Sequence, residues 1–425
     1  IVVLSNVFNN YATVTATMGG GSDSYYGTRG GSGTRIDRVS GDDGNDTLYG
    51  GSGSDTLYGG AGFLDLLIGG TQTALASDAG DVLFDSDGVV YAGGGEGDDS
   101  FNIAFASNWT GAGGNASDLV TLDGNGGNDS MVLSSGNTAL RVIINGDDGT
   151  ADGNDTVDWG QIASSYDRVT ATLGDGNDNY IGTGPGASGN LIDIVFGGLR
   201  NDTVSGGIGD DTVYGSTAAN PLADGNDTLF GRGGNDTLYG GYGLDTFDGG
   251  AGDDAMYFNA DNTVTGDNTV QDYIQAWDGG LELAQYSYNG RTVNWTFDTF
   301  EGNGGIDSLI GTSGNDVLVA NTDDLIVNGA SQTSNPGRLA GMEVVLLGAG
   351  ADYFIANDPN GNSTTGTNFT TSITVFAGEG IDVVYTGDGN DLLVGDETTA
   401  SPDVLAARAG NDNIRGDYHG LPHPG

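Results

Sequence analysis

Aspartates recur at nine-residue intervals in the middle of the chain, and their carboxylates could bind a metal ion. They stand in four consecutive blocks that span residues 222–257 and read LADGNDTLF, GRGGNDTLY, GGYGLDTFD and GGAGDDAMY. Asp227, Asp236, Asp245 and Asp254 each hold the sixth place of their block. These blocks contain no histidine or cysteine, so the ligands on offer are hard oxygens. Such oxygens suit Ca²⁺, which takes about 6–8 of them.

The two halves of each block predict the elements that would position these carboxylates. Glycine-rich first halves allow positive φ and close backbone approach, which predicts turns with exposed carbonyls. Second halves such as D-T-L-Y contain β-branched and aromatic residues around one apolar side chain, which predicts a short strand that buries one face. Stacked units of this kind would bring successive turns into register, so that carbonyls and carboxylates converge.

The blocks resemble the RTX (haemolysin-type) calcium-binding nonapeptide, G-G-x-G-x-D-x-U-x, which forms a parallel β-roll. The resemblance implies that each ion lies between two turns and is held by sixth-place carboxylates and glycine-turn carbonyls. It also places three glycines at the fourth, carbonyl-donating position: Gly234, Gly243 and Gly252. The predicted carboxylate ligands are Asp46, Asp55, Asp99, Asp129, Asp155, Asp178, Asp211, Asp227, Asp236, Asp245, Asp254, Asp307, Asp316, Asp352, Asp382, Asp391 and Asp412.

Some turns fit this pattern less well. Asp23, Asp65 and Asp202 lack a motif glycine or follow an extra residue, so they are left out of the predicted set. Asp129 and Asp352 stand in isolated turns, for which a capped turn without metal is the alternative.

The composition is that of an acidic, ordered repeat protein. The 425 residues include 81 glycines and have a net charge of −48; all eleven basic residues are arginines. Such a charge repels nucleic acid and anionic membranes, so neither is an expected partner, and no apolar run predicts membrane insertion. The carboxylates would also repel one another in a compact state, so we expect folding to depend on calcium. Cysteine is absent, so the redox compartment cannot be read.

The repeats extend along most of the chain and include an internal duplication. YATVTATMGGGSDSYYGT at residues 11–28 matches YDRVTATLGDGNDNYIGT at residues 166–183, an offset of 155 residues. Turn aspartates lie nine residues apart within tandem runs but 23 to 30 apart between runs, for instance from Asp155 to Asp178. The prediction is an all-β, irregular parallel β-solenoid (β-roll or β-helix) with calcium-binding turns and a small aromatic-rich β insertion.

The predicted organisation has five parts. Residues 1–18 are either a cap on the first coil or a strand that pairs with another protomer. An RTX-like solenoid covers 19–258, a second stretch covers 301–418, and 419–425 form a Pro/Gly tail. Residues 259–300 are the aromatic-rich insertion, whose aromatic side chains form either a packed core or a sugar-stacking platform: Trp277, Tyr286, Tyr288 and Trp295.

Residues for common enzyme chemistry are scarce. The only histidines, His419 and His423, lie in the tail, and neither an H-E-x-x-H helix nor a G-x-S-x-G elbow occurs. We therefore predict no enzymatic activity and no catalytic residues.

The leading functional prediction is a secreted structural protein: a calcium-rigidified solenoid in a surface layer, fibre or adhesin. It would form homo-oligomers or filaments through its N-terminal strand or solenoid ends. The first alternative is the secretion and folding module of a larger type I-secreted exoprotein. The second is a carbohydrate-binding module that uses the 259–300 insertion, with glycans as partners.

Overall fold

The computed structural model shows a protein built from parallel strands and turns. Its described residues contain no helix, and so none that could cross a membrane. Described are residues 1–3, 13–28, 36–62, 64–70, 79–86, 88–105, 119–135, 140–147, 153–159, 168–184, 191–216, 225–241, 245–257, 299–304, 308–310, 317–319, 326–327, 330–331, 339–340, 343–350, 352–356, 372–395 and 403–416. The predicted insertion lies outside them except for Thr299 and Phe300. The chain forms two compact units, residues 1–233 and 234–425.

In unit 1, successive strands alternate between two parallel sheets, so that one coil contributes one strand to each. The first sheet contains, in spatial order, β1 (Val2–Val3), β3 (Ser24–Thr28), β5 (Thr47–Gly51), β7 (Asp65–Ile68), β9 (Val89–Glu96), β11 (Leu119–Gly126), β13 (Arg141–Asp147), β15 (Arg168–Asp175), β17 (Ile192–Leu199) and β19 (Thr212–Tyr214). The second contains β2 (Thr13–Thr17), β4 (Ile36–Asp43), β6 (Thr56–Ala61), β8 (Val82–Asp85), β10 (Ser100–Phe105), β12 (Ser130–Ser135), β14 (Thr156–Asp158), β16 (Asn179–Ile181), β18 (Thr203–Ile208) and β20 (Thr228–Gly233).

The core of unit 1 lies between these sheets and is built from columns of buried side chains in each. One second-sheet column consists of the residues two places after the turn aspartates, such as Leu57, Met131 and Leu229. Register pairing places each column member directly against the next, for instance Leu57 against Leu83 and Phe101 against Met131. Full burial of each such side chain contributes roughly 1.5–3 kcal/mol. The apolar eighth place of the nonapeptide is thus the core position.

Unit 2 repeats this arrangement in shorter strands. Its longest parallel series is β21 (Thr237–Tyr239), β23 (Ala255–Tyr257), β25 (Ser308–Ile310), β30 (Val344–Leu346), β33 (Thr374–Phe376), β36 (Leu392–Val394) and β38 (Asn413–Arg415). Two others are β22 (Thr246–Ala251), β24 (Thr299–Gly304), β29 (Leu339–Ala340), and β26 (Val317–Val319), β32 (Tyr353–Ile355), β35 (Val383–Tyr385), β37 (Val404–Ala406). β31 (Ala349–Gly350) pairs in parallel with β34 (Glu379–Gly380), whereas β27 (Ile326–Val327) and β28 (Ala330–Ser331) form an antiparallel pair.

The predicted all-β parallel solenoid is therefore confirmed, and the aspartate spacings now have a structural meaning. A nine-residue step, as from Asp46 to Asp55, moves from one sheet to the other and is half a coil. A step of 23 residues, as from Asp155 to Asp178, returns to the same sheet and is a whole coil that contains more residues than two nonapeptides.

The glycine that opens a nonapeptide packs directly against the aspartate that follows five residues later. A β-carbon added at Gly124 would overlap the Oδ2 atom of Asp129 and would lie 2.7 Å from the carbonyl oxygen of Gly146. The same overlap with the aspartate occurs at Gly41, Gly94 and Gly240. Glycine is required here because oxygen atoms fill the space that a side chain would need.

We predict that Gly124→Ala destabilises the calcium-bound protein, because the new methyl group must displace Asp129. Overpacking of this kind costs about 1–3 kcal/mol. Gly233→Ala is the matched control, since a β-carbon there meets no atom within 4 Å. Thermal unfolding at saturating calcium measures both variants. Equal midpoints for the two would contradict the packing argument.

Candidate calcium centres

Turn aspartates are joined from coil to coil by a repeated hydrogen bond. The backbone N–H of Asp99 donates to Oδ1 of Asp129 at 2.8 Å, and the N–H of Asp129 donates to Oδ1 of Asp155 at 2.8 Å. In the opposite direction, the carbonyl of each aspartate accepts a bond from the next coil, as when Ser130 N–H donates to Asp99 O. Along the second sheet of unit 1 the resulting ladder runs through Asp37, Asp55, Asp81, Asp99, Asp129, Asp155, Asp178, Asp202 and Asp227.

The first sheet and unit 2 carry shorter versions of the same ladder. In the first sheet, Asp23 N–H donates to Asp46 Oδ1, and Asp46 N–H donates to Asp65 Oδ1. Further rungs join Asp193 to Asp211, Asp236 to Asp254, Asp352 to Asp382, Asp382 to Asp403, and Asp391 to Asp412. Both edges of the roll are therefore lined with carboxylates.

Each rung leaves the second carboxylate oxygen, Oδ2, facing the inside of the turn. For five aspartates this atom is buried and accepts no hydrogen bond: Asp46, Asp129, Asp155, Asp178 and Asp391. At Asp129 it faces Gly124 beside the carbonyl oxygen of Gly146 from the next coil. One carboxylate oxygen and one carbonyl oxygen thus meet at the same spot.

Burial disfavours the charged form of these carboxylates. Loss of solvation raises the pKa of Asp129 to about 9, and the negative charge of Asp99 adds to the effect. Desolvation also raises the pKa of Asp155 and of Asp178, each to about 7. The pKa of Asp46 is raised for the same reason. A positive charge close by would favour the ionised form of such carboxylates in the folded protein.

These observations fit calcium as the missing positive charge. Among the described residues no three carboxylates or imidazoles converge on one point, so carboxylates alone do not complete a site. The other ligands available are turn carbonyls, which calcium accepts readily together with carboxylates. A bound calcium ion would supply the positive charge. The turns would supply the oxygen ligands, whose positions are fixed by the hydrogen-bond ladder.

The comparison with known families agrees with this chemistry. The family described as RTX calcium-binding nonapeptide repeat (4 copies) matches residues 31–63, 120–140, 188–220, 223–256, 294–329, 374–399 and 397–418. The chain therefore contains RTX calcium-binding nonapeptide repeats, and their β-roll has multiple Ca²⁺ sites. RTX repeats are calcium-binding rather than catalytic, and proteins that contain them are typically secreted by the type I route. No curated protein and no solved structure matches the chain.

The RTX ladder continues where the family match does not. Residues 64–119 and 141–187 lie outside the matched segments. Asp81, Asp99, Asp155 and Asp178 nevertheless occupy successive positions of the same ladder as Asp55 and Asp129. The repeat is therefore structurally continuous in unit 1 although its sequence signature is interrupted.

Most of the predicted ligands lie in equivalent buried positions. Asp412 is half-buried and accepts the N–H of Asp391, while Asp307, Asp316 and Gly243 lie outside the described residues. At the fourth place, a β-carbon on Gly252 would overlap the carbonyl oxygen of Gly234, so these two turns stack closely. Buried are Asp46, Asp55, Asp99, Asp129, Asp155, Asp178, Asp211, Asp227, Asp236, Asp245, Asp254, Asp352, Asp382 and Asp391. Their role as calcium ligands remains a prediction.

Several aspartates that the sequence analysis set aside or missed take part in the same structure. Asp202 is a ladder member because Arg200 adopts the left-handed φ of 77° that the missing fourth-place glycine would otherwise supply. Asp65 is fully buried in spite of its extra preceding residue. Asp81 follows a stretch without the motif, and the short signal A-G-D-V-L could have revealed it.

A second ladder of asparagines runs along the exposed side of the same turns. Asn154 N–H donates to Asn128 Oδ1 at 2.8 Å, and Asn177 N–H donates to Asn154 Oδ1 at 2.7 Å. At one end Asn128 donates both its backbone and its side-chain N–H to Asp98, which lowers the pKa of that exposed carboxyl. The fifth place of the nonapeptide thus joins the coils from outside with neutral groups.

We predict that metal removal unfolds the roll at neutral pH, because the buried carboxylates then lack a counter-charge. Far-ultraviolet circular dichroism should show loss of strand signal in EDTA and its return in millimolar calcium. Magnesium at equal concentration is the control, since its smaller octahedral shell suits these sites poorly. Full strand content in EDTA at pH 7.5 would contradict the prediction.

The raised pKa values also predict a pH dependence of the metal-free protein. The pKa of Asp129 is close to its ordinary value in the unfolded chain but about 9 in the folded protein. Between these two pH values, the carboxyl is protonated in the folded state and ionised in the unfolded state. Stability of the metal-free fold should therefore fall as pH rises from about 4 to 9. Dialysed, metal-free protein should show more strand signal at pH 5.5 than at pH 8. An unchanged signal would refute this.

Proposed function

We propose that the protein is an extracellular structural element, a β-roll that calcium makes rigid, within a surface layer, fibre or adhesin. The aspartate ladder of unit 1 carries this proposal. It joins nine successive positions from Asp37 to Asp227 with bonds of 2.5–2.8 Å. An array in which every coil is fixed to the next suits a load-transmitting or spacing role.

Self-assembly is part of this proposal, with a second copy of the chain as partner. Strand β2 lies at the end of the second sheet and pairs with β4 on one side. Within the described part of the chain no strand pairs with its other side, so its backbone groups there could template another strand. All three threonines of β2, Thr13, Thr15 and Thr17, are exposed.

The secretion and folding module of a larger exoprotein is the second candidate. RTX repeats are typical of type I-secreted proteins, and their presence in this chain supports the second candidate. The gene region that surrounds this sequence would distinguish the two: an adjoining catalytic domain favours the module. A carbohydrate-binding role for residues 259–300 is tested by a glycan array with and without Trp277→Ala.

We predict that the chain forms filaments or sheets in calcium and that removal of residues 1–18 abolishes them. Negative-stain electron microscopy of both samples, each confirmed as folded by circular dichroism, gives the answer. Assembly of the truncated chain would exclude the N-terminal strand as the contact. Monomers in both samples would overturn self-assembly while leaving calcium binding intact.

A further inference from the structure

Two ladder aspartates bond to a tyrosine through the oxygen that faces inward elsewhere. The hydroxyl of Tyr25 donates to Oδ2 of Asp37 at 2.9 Å, and the hydroxyl of Tyr180 donates to Oδ2 of Asp193 at 2.9 Å. Both tyrosines are 0% exposed, and both aspartates are buried. The two pairs occupy equivalent points of the duplication. Tyr25 and Tyr180 align within residues 11–28 and 166–183, and Asp37 and Asp193 align in its continuation, RIDRV at residues 35–39 and LIDIV at residues 191–195.

In other respects Asp37 and Asp193 behave as ordinary ladder members. The N–H of Asp37 donates to Oδ1 of Asp55, and the N–H of Asp193 donates to Oδ1 of Asp211. A β-carbon added at Gly27, on strand β3, would lie 2.8 Å from Asp37 Oδ2. The Oδ2 atom of Asp37 therefore also lies close to a glycine, although this glycine is not the one five residues before the aspartate, as Gly124 is for Asp129.

The tyrosine replaces a core residue of the repeat. Tyr25 and Tyr180 stand two places after Asp23 and Asp178, at the position that Leu or Val fills in most blocks. From there the phenol spans the core: Tyr25 on β3 reaches Asp37 on β4, and Tyr180 on β16 reaches Asp193 on β17. Each pair thus joins the first sheet to the second.

We propose that the turns that contain Asp37 and Asp193 bind no metal ion. At each of them, a tyrosine hydroxyl takes the place that calcium takes at other turns. A hydroxyl that donates to a carboxylate forms a charge-assisted bond and stabilises the negative charge without a cation. An ion at the same oxygen would compete with the phenol for both the lone pair and the space. Each copy of the duplicated segment therefore contains one link between its sheets that does not depend on calcium.

The number of bound calcium ions tests this assignment directly. Asp37→Asn and Asp193→Asn keep one oxygen that can accept the tyrosine hydroxyl, while they remove the charge and replace the other oxygen by an amide NH₂. Both should bind as many ions per chain as the wild type, measured by equilibrium dialysis and elemental analysis at saturating calcium. Asp129→Asn is the matched control at a turn with no such tyrosine, and it should bind fewer. A lower count in Asp37→Asn or Asp193→Asn would overturn the proposal.

Removal of the hydroxyl provides a second, independent test. Tyr25→Phe should raise the calcium concentration for half-maximal folding several-fold, because a calcium-independent link is lost. Its matched control is Tyr26→Phe, since Tyr26 is the next residue and lies against Tyr49, with ring centroids 5.1 Å apart. That control should change the midpoint less than twofold.

If the asparagine variants fail to fold, Tyr25→Phe still tests the proposal. At saturating calcium, Tyr25→Phe should bind the same number of ions as the wild type, or one more if calcium enters the vacated space. A lower number would show that the tyrosine–aspartate pair helps to hold an ion, and the proposal would be wrong. An unchanged folding midpoint in Tyr25→Phe would equally contradict the role of the link.

Discussion

The structure depends on one hydrogen bond, from the backbone N–H of a turn aspartate to Oδ1 of the aspartate in the next coil. This bond uses one carboxylate oxygen to hold the coils in register and directs the other, Oδ2, into a buried turn. At Asp129 and Asp155 that oxygen accepts no hydrogen bond, and burial raises the pKa of both carboxyls. The contact that stacks the coils therefore also creates the need for a cation. Folding and calcium binding share the same side chains, so we expect the two processes to be coupled.

The two edges of the roll are equivalent, and the internal duplication shows this. Strand β3 of the first copy belongs to the first sheet, whereas its counterpart β16 belongs to the second. The offset of 155 residues spans an odd number of strands, from β3 to β16, so the copies lie on opposite sheets. Both sheets accept the segment because every half coil has the same parts: a glycine turn, an aspartate and a buried apolar residue. The register between neighbouring strands is fixed by the parts of each half coil. The number of residues between one half coil and the next can therefore vary.

Sequence reasoning reached the fold and the regular turns because both follow from local chemistry. Asp46 and Asp55 stand in complete nonapeptides, so spacing alone indicates where their carboxylates lie. Asp37 and Asp81 could not be found in this way, since the sequences before them lack the motif glycines at the expected places. Asp202 lacks one motif glycine and so falls outside the predicted set, yet Arg200 supplies the required backbone conformation. The tyrosine pairs depend on contact across the core, which no nine-residue window contains.

The neutral contacts outside the turns cannot replace the cation, as their magnitudes show. A stacked aromatic pair such as Tyr239 and Tyr257, with ring centroids 4.4 Å apart, contributes about 0.5–1.5 kcal/mol beyond its burial. Each hydrogen bond of the asparagine ladder adds about 0.5–1.5 kcal/mol. An uncompensated buried charge costs several kcal/mol, so one ionised carboxylate in each half coil outweighs the neutral contacts beside it. The neutral contacts are sufficient for folding once the buried charge is neutralised by calcium or by a proton. At Asp37 and Asp193, the hydrogen bond from a tyrosine hydroxyl stabilises that charge instead. We therefore expect the carboxylates inside the turns to account for most of the difference in folding free energy between the calcium-free and the calcium-bound protein.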